Sequence, residues 1–464
     1  MILIFKFANY LQYLKLKSML IEFSVKNFGP IKNTQTLSMV ASSDTDLEDY
    51  YVYEQGNVRL LKLAVLYGTN ASGKTTILKA LDFLRSLILK PKLQKSEKLD
   101  FMPFLFDEMS FNESSVMHII FVQSGIKYDY EITFTQTCVL GEHLFSYPKG
   151  RQSEFFTRTT DTKNEVSTTN WGSKIKISPR DKTILEGNTL WNEPVLAAFN
   201  KSNIQSNELM QIKEWFNTYL QMMILPNTNL VSWASEVLES SAHNKSMMID
   251  FIQKADIQVE NVEIETKEIS FDAKEIEIIP NDDIKRTSGG FVFKTDNRVK
   301  LPATNMLETK KNLLFHHKIK NIDGSFSEFP LDFSMESRGT IQYYGMTALL
   351  TALIKGSTLN TIDEIETSLH PDLMKHFILT FLANAKQSQL ILTTHNLYFL
   401  EEKDILRKDA IWFTQKKEDG STELYSLAEF DSSVFRKNAS IINAYKIGKL
   451  GAKPNLGSIF IQTE

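Results

Sequence analysis

The sequence predicts an α/β protein built on a P-loop core that a long insertion divides, with an antiparallel β subdomain beside it. Three observations predict this. The apolar run Leu60 to Leu66 reads as a buried strand, ends in a glycine-bearing loop, and is followed by Ile77, Leu78, Leu81, Leu84 and Ile88 at helical spacing until Pro91 stops the helix. Residues 100 to 147 alternate like an antiparallel meander, clearest over Met117–Val122 and Tyr128–Phe134. The strand–helix rhythm then resumes in the C-terminal third: a helix over Thr340–Ile354, a strand through Ile362, a helix over Pro371–Ala385, and a central strand over Gln389–Thr394.

The remaining elements follow in chain order. The first twenty residues are apolar and aromatic, but Lys6, Lys15 and Lys17 interrupt them and no small-residue cleavage site follows, so the part ahead of Met19 reads as an extension rather than a secretory signal. Leu20, Ile21, Phe23 and Val25 approach strand period, Asn27-Phe28-Gly29-Pro30 reads as a turn, and Thr34–Val40 as the returning strand. Residues 149 to 190 are polar and read as loop-like. From 191 to 254 the period is helical, with Leu209, Ile212, Phe216, Leu220 and Met223 on one stripe. Val259–Ile279 returns to strand period with an acidic outer face. The expected domains are an extension over 1–18, an N-terminal half of the core over 19–148, an inserted, mainly helical subdomain over 149–300, and a C-terminal half over 301–464.

Composition narrows the function classes. The chain has 464 residues, 42% hydrophobic and 23% charged, which suffices for a large core and excludes general disorder. With 52 Lys and Arg against 56 Asp and Glu the net charge is −4, so no global cationic field draws it onto nucleic acid. The single cysteine, Cys138, provides neither an internal disulfide nor a cysteine zinc site and fits a reducing, cytoplasmic setting. No run approaches the roughly 18 apolar residues of a membrane helix, so no membrane partner is expected.

Chemistry concentrates in two places. Gly68-Thr69-Asn70-Ala71-Ser72-Gly73-Lys74-Thr75 fits G-x-x-x-x-G-K-[ST] between a predicted strand and a predicted helix, the context that motif requires. Its glycines let successive backbone N–H groups converge on phosphates, and the helix N-terminus adds about half a positive charge. Lys74 is expected to reach the β and γ phosphates and the Thr75 hydroxyl to ligate Mg²⁺, with Gly68, Asn70, Ala71, Ser72, Gly73 and Thr76 completing the cradle. A P-loop also needs an acid for the metal at a neighbouring strand end. Asp363 is placed to hold Mg²⁺ through its water shell and Glu364 to orient or deprotonate the attacking water. Lys74 and Asp363 are 289 positions apart, whereas one βαβ step takes about 30 residues, so a large subdomain must be inserted between them, and the lack of a long heptad run makes it compact.

The set Gly68–Thr75, Glu336-Ser337-Arg338-Gly339-Thr340, Asp363-Glu364-Ile365-Glu366 with Ser368-Leu369-His370-Pro371, and Thr393-Thr394-His395-Asn396 resembles an ABC/SMC-type ATPase head. More narrowly it is similar to the bacterial AAA family ATPases linked to abortive infection and phage defence, of the AbiL and RloA types. Those chains open like Met19–Phe28 and close like Tyr445, Gly448, Gly451-Ala452 and Pro454. The resemblance covers roughly residues 19 to 455. It implies a head that dimerises around two ATP molecules, each held by one subunit's P-loop and the other's signature. Ser337 and Gly339 stand in the signature position, where Ser337-Arg338-Gly339-Thr340 carries one glycine in place of the transporters' Leu-Ser-Gly-Gly-Gln. His395 is implied to contact the γ-phosphate or its attacking water.

The resemblance therefore implies an ATP-hydrolysing homodimer that acts as a sensor or switch in antiviral defence, with a separate nuclease or toxin as effector. The alternative is a DNA-repair or chromosome-maintenance clamp. Nucleic acid stays open as a partner through the Lys90, Lys92, Lys95 and Lys98 loop, although a solvated loop is the simpler reading. The tandem His316-His317 lacks metal-ligand spacing to another His or Cys.

Overall fold

The computed structural model describes residues 18–55, 58–255, 257–271, 276–278, 285–287, 290–292, 299–301, 306–367, 369–400, 402, 405–430 and 440–452. The N-terminal extension, apart from Ser18, lies outside them, as do Ser368 and Pro454. The chain divides into two compact units, residues 1–229 with 349–464, and residues 230–348.

The first unit contains two sheets. One is antiparallel, seven-stranded, with strands in the order Val166–Trp171, Ser153–Asp161, Val139–Tyr147, Ile126–Phe134, Ser115–Gln123, Met19–Lys26 and Gln35–Ser38. The meander expected over 100–147 forms its centre. Residues 153–171, expected as loop, extend it by two strands, with Ser153 pairing Ser146 and Thr157 pairing His143. Two of its buried polar side chains, Arg158 and Ser167, find carbonyl acceptors inside the fold. The buried Arg158 guanidinium donates to the carbonyls of Val139, Leu190 and Trp191, and Ser167 Oγ donates to Thr189 O at 2.9 Å.

The other sheet has the order Leu359–Ile362, Gln389–Thr393, Leu63–Gly68, Ile411–Lys416, Thr422–Ser426, its first four strands parallel and the last antiparallel. Leu63–Gly68 sits in the middle, buried along its whole length, and leads through the glycine loop into the Lys74–Leu89 helix. The run expected as one strand over Leu60–Leu66 breaks at Lys62: Val58–Leu61 pairs with Val52–Gln55, and only the part from Leu63 joins the parallel sheet. Gln389 ties the parallel sheet to the first strand. Its side chain accepts from Leu20 N at 2.7 Å and donates to the Leu20 and Leu61 carbonyls, both at 3.0 Å.

The second unit packs helices Val231–Ser240 and Ala242–Lys254 with a three-stranded antiparallel sheet of Asn261–Phe271, Met306–Lys320 and Phe326–Asp332. Its core joins Ala234, Leu238, Met248, Ile252, Val262, Phe315, Tyr344 and Ala348.

Candidate functional site

Two positions of the glycine loop resist a side chain, Gly73 for its left-handed backbone and both Gly73 and Gly68 for want of space. Gly73, at φ 100°, caps the Lys74 helix, and a Cβ there would stand 2.3 Å from Thr422 Oγ1. At Gly68 a Cβ would stand 2.3 Å from Thr414 Oγ1 and 2.5 Å from the Thr414 carbonyl. Thr414 and Thr422 also brace the loop through Ser72: their hydroxyls lie 2.6 Å from Ser72 Oγ and 2.9 Å from Ser72 O respectively. The Ser72 hydroxyl is thereby turned into the protein, while Asn70 and Ala71 remain exposed, Ala71 at φ 59°.

Lys74 opens the helix and folds back. Its Nζ donates to Gly68 O at 2.9 Å and Thr69 O at 3.1 Å, and lies 3.3 Å from His395 Nδ1. Burial lowers its pKa to about 8, against the opposing pull of the Glu366, Asp363 and Glu364 carboxylates. Bound phosphate oxygens would compete with the two loop carbonyls for this ammonium.

The next residue links the loop to the acid pair. Thr75 Oγ1 donates to Asp363 Oδ1 at 3.0 Å, Thr393 Oγ1 donates to the same oxygen at 2.7 Å, and Glu364 N donates to Thr393 Oγ1 at 2.8 Å. Glu364 itself takes φ 47°, a left-handed conformation uncommon for glutamate. Its Oε1 lies 3.4 Å from His395 Nε2, so the imidazole reaches Lys74 with one nitrogen and Glu364 with the other. The Glu364 and His395 side chains are 42% and 33% exposed, enough for a reacting water to approach. The structure thus brings Lys74, Thr75, Asp363, Glu364 and His395 together at one end of the parallel strands. The Thr75 hydroxyl and Asp363 carboxylate suit a small hard cation such as Mg²⁺, which takes a few protein oxygens and completes its shell with phosphate and water. No group of three or more His, Cys, Asp or Glu among the described residues is arranged to hold a metal by itself.

Ser337 and Gly339 belong to the second unit and begin the Arg338–Lys355 helix. Ser337 is exposed, and its hydroxyl caps that helix, accepting from Thr340 N at 3.1 Å. Beside it Glu336 is held by His317 Nε2 at 2.5 Å, which gives half of the histidine pair a structural partner.

Several residues of the site escape sequence reasoning. Glu366 accepts from His395 N at 2.5 Å and keeps its second oxygen buried without a partner. Residues 220–224 run beside the strand that ends at the acids: Ile224 N donates to Thr361 O and Asp363 N donates to Ile224 O, both at 2.9 Å. Arg85, on the P-loop helix, donates to Leu220 O at 2.7 Å. Only the apolar stripe through Leu220 and Met223 hinted at this segment, and a stripe does not say what it packs on.

A family model described as "AAA domain, putative AbiEii toxin, Type IV TA system" matches residues 63–401, well over half of the chain. Among solved structures the chain is similar to an "SMC head domain from Thermotoga maritima", at 11% identity over 88% of this chain and 98% of that one, TM-score 0.36. An Smc head from Pyrococcus furiosus, bound to the C-terminal domain of ScpA, matches at 11% identity over 94% and 100%, TM-score 0.35. An SmcHead bound to the C-winged helix domain of ScpA matches at 10% identity over 88% and 97%, TM-score 0.38. Likenesses at these TM-scores add nothing to what the strand order and the loop already establish. A search of curated proteins returns no match. No helix among the described residues is long and apolar enough to cross a membrane.

Proposed function

Since the chain belongs to the AAA-domain family whose model spans its P-loop, we propose that it binds ATP at Gly68–Thr76 and hydrolyses it, as the switch of a two-subunit head. The observation that carries this is the hydrogen-bonded run from Thr75 through Asp363 and Thr393 to the Glu364 amide, which couples the loop to the acid pair. In this reading Lys74 leaves the Gly68 and Thr69 carbonyls for the β and γ phosphates, and the loop N–H groups take the remaining oxygens. Thr75 and Asp363 hold Mg²⁺, which when bound neutralises phosphate charge. Glu364 accepts a proton from the water as its oxygen bonds to the γ-phosphorus and the bond to the β-γ bridging oxygen breaks. His395 orients that water between Glu364 and the phosphate.

Ser337 and Gly339 act across the dimer, where the exposed start of the Arg338–Lys355 helix offers N–H groups and a positive dipole end to the partner's γ-phosphate. The role in antiviral defence, with a separate nuclease or toxin as effector, rests on the family's description and on the resemblance of the motifs. Mass photometry of Glu364→Gln tests the assembly. With ATP and Mg²⁺ the variant runs as a dimer and without nucleotide as a monomer; a mass indifferent to ATP overturns the two-subunit reading.

A further inference from the structure

The first unit holds a cavity away from the glycine loop. It measures about 350 Å³ and opens between the antiparallel sheet and the start of the Asn207–Glu214 helix. Its walls are apolar and aromatic: Ile126, and the buried rings of Tyr128 and Phe155, which meet edge to face with centroids 6.0 Å apart. Ser146 lines it at 1% exposure, and its hydroxyl has no hydrogen-bond partner. Ser153, directly opposite Ser146 on the next strand, has a second buried hydroxyl without a partner. A buried hydroxyl left unpaired costs about 1–3 kcal/mol, so a cavity with such a group on its wall is suited to a ligand that satisfies it.

The rim defines the ligand's chemistry. The Asn207 and Gln211 amides donate and accept, Glu208 accepts, and Lys174 supplies one positive charge against the one negative charge of Glu208. Glu208 stands close enough to Tyr128 to help burial push the phenol up to about 12. A rim with no net charge gives no hold on a phosphate. Aromatic walls and donor-acceptor groups match a flat heterocycle with polar edges, and the volume lies at the small end of ligand sites.

The same helix leads to the proposed catalytic acids. Asn207–Glu214 runs into the wide turn Trp215–Tyr219 and then into residues 220–224, whose Ile224 carbonyl receives the Asp363 amide and whose Leu220 carbonyl receives Arg85. We infer that this cavity is an effector site for an uncharged nucleobase or nucleoside, whose binding at the Asn207 end of the helix adjusts the Asp363-Glu364 pair. The coupling rests on the hydrolysis reading above; the binding does not.

The test keeps the two apart. Ligand-observed NMR is run with adenosine, guanosine, cytidine and uridine, each at about 1 mM, on the Lys74→Ala protein, which removes the P-loop lysine. At least one binds with a Kd on the order of 0.1–1 mM, and binding is lost in Ser146→Val and in Asn207→Trp. The Asn207 change lies on an exposed rim position, so it remains informative if the buried serine variant fails to fold. Binding of none of the four, or binding untouched by Asn207→Trp, overturns the site. In the chain with Lys74 intact, the bound nucleoside changes the ATP turnover rate by about fivefold or more, and Asn207→Trp removes that response. Binding without a change in turnover overturns the coupling, whereas ATP turnover absent from every sample overturns the hydrolysis reading and leaves the NMR result to decide the site.

Discussion

The Lys74 ammonium makes ATP binding depend on pH in a direction the structure sets. Burial holds its pKa near 8 while the loop is free of phosphate, well below the ordinary 10.5. Beside phosphate oxygens the charged form is favoured, so binding draws in a proton wherever the free protein has lost it. Below about pH 8 the lysine is already charged and affinity is flat; above it affinity falls by about tenfold per pH unit. For folding the sign is opposite. The unfolded chain keeps this proton up to 10.5, so the cost of burying the charge is full below about 8 and fades as the pH rises towards 10.5. The assay is fluorescence anisotropy of a labelled ATP at fixed Mg²⁺ and ionic strength from about pH 7 to about pH 9.5, with Lys74→Arg as the control because guanidinium keeps its charge throughout. Whatever its absolute affinity, the arginine variant should be flat. A flat profile for the unaltered protein, or an equal decline in both, refutes the reasoning.

Three further outcomes follow from the same geometry. Thr75→Val removes a hydroxyl from Asp363 and should raise the Mg²⁺ concentration needed for half-maximal turnover by roughly tenfold, read from a metal titration at saturating ATP. Gly73→Ala puts a methyl group against Thr422 in a left-handed backbone and should cost about 2 kcal/mol or more in urea denaturation, together with the loss of ATP binding; an unchanged midpoint contradicts the packing described. Gln389→Leu leaves the Leu20 amide and two carbonyls without their buried partner and should destabilise the first unit by about 2–4 kcal/mol, with faster amide exchange along Met19–Lys26.

Much of this site can be read from local sequence because its parts are short and stereotyped. The Gly68–Thr75 loop announces itself through glycines, one lysine and its place between a strand and a helix. Asp363-Glu364 alone would be an unremarkable acidic pair and gains meaning only beside the motifs that accompany it. What stays hidden are the long-range braces. Thr414 and Thr422 hold Ser72 from more than three hundred positions away, and nothing local marks a threonine on a strand as a support for a phosphate loop. The strands over Ser153–Trp171 are missed for a related reason: their inward residues include Arg158 and Ser167, whose polar groups donate to carbonyls inside the fold rather than to solvent. Lys62 deceives in the other direction. It stands inside an apolar run and reads as part of one strand, yet it marks where a hairpin ends and the parallel sheet begins, its ammonium buried against Leu382 O at 3.4 Å.

The central claim is that Glu364 activates water for attack on ATP held by the Lys74 loop. It is tested most directly by single-turnover hydrolysis of γ-labelled ATP, with binding measured on the same samples. The account predicts phosphate release by the unaltered protein. In Glu364→Gln it predicts near-normal ATP binding with release slowed by a factor on the order of 10²–10⁴. Phosphate release by Glu364→Gln at the parental rate would contradict it.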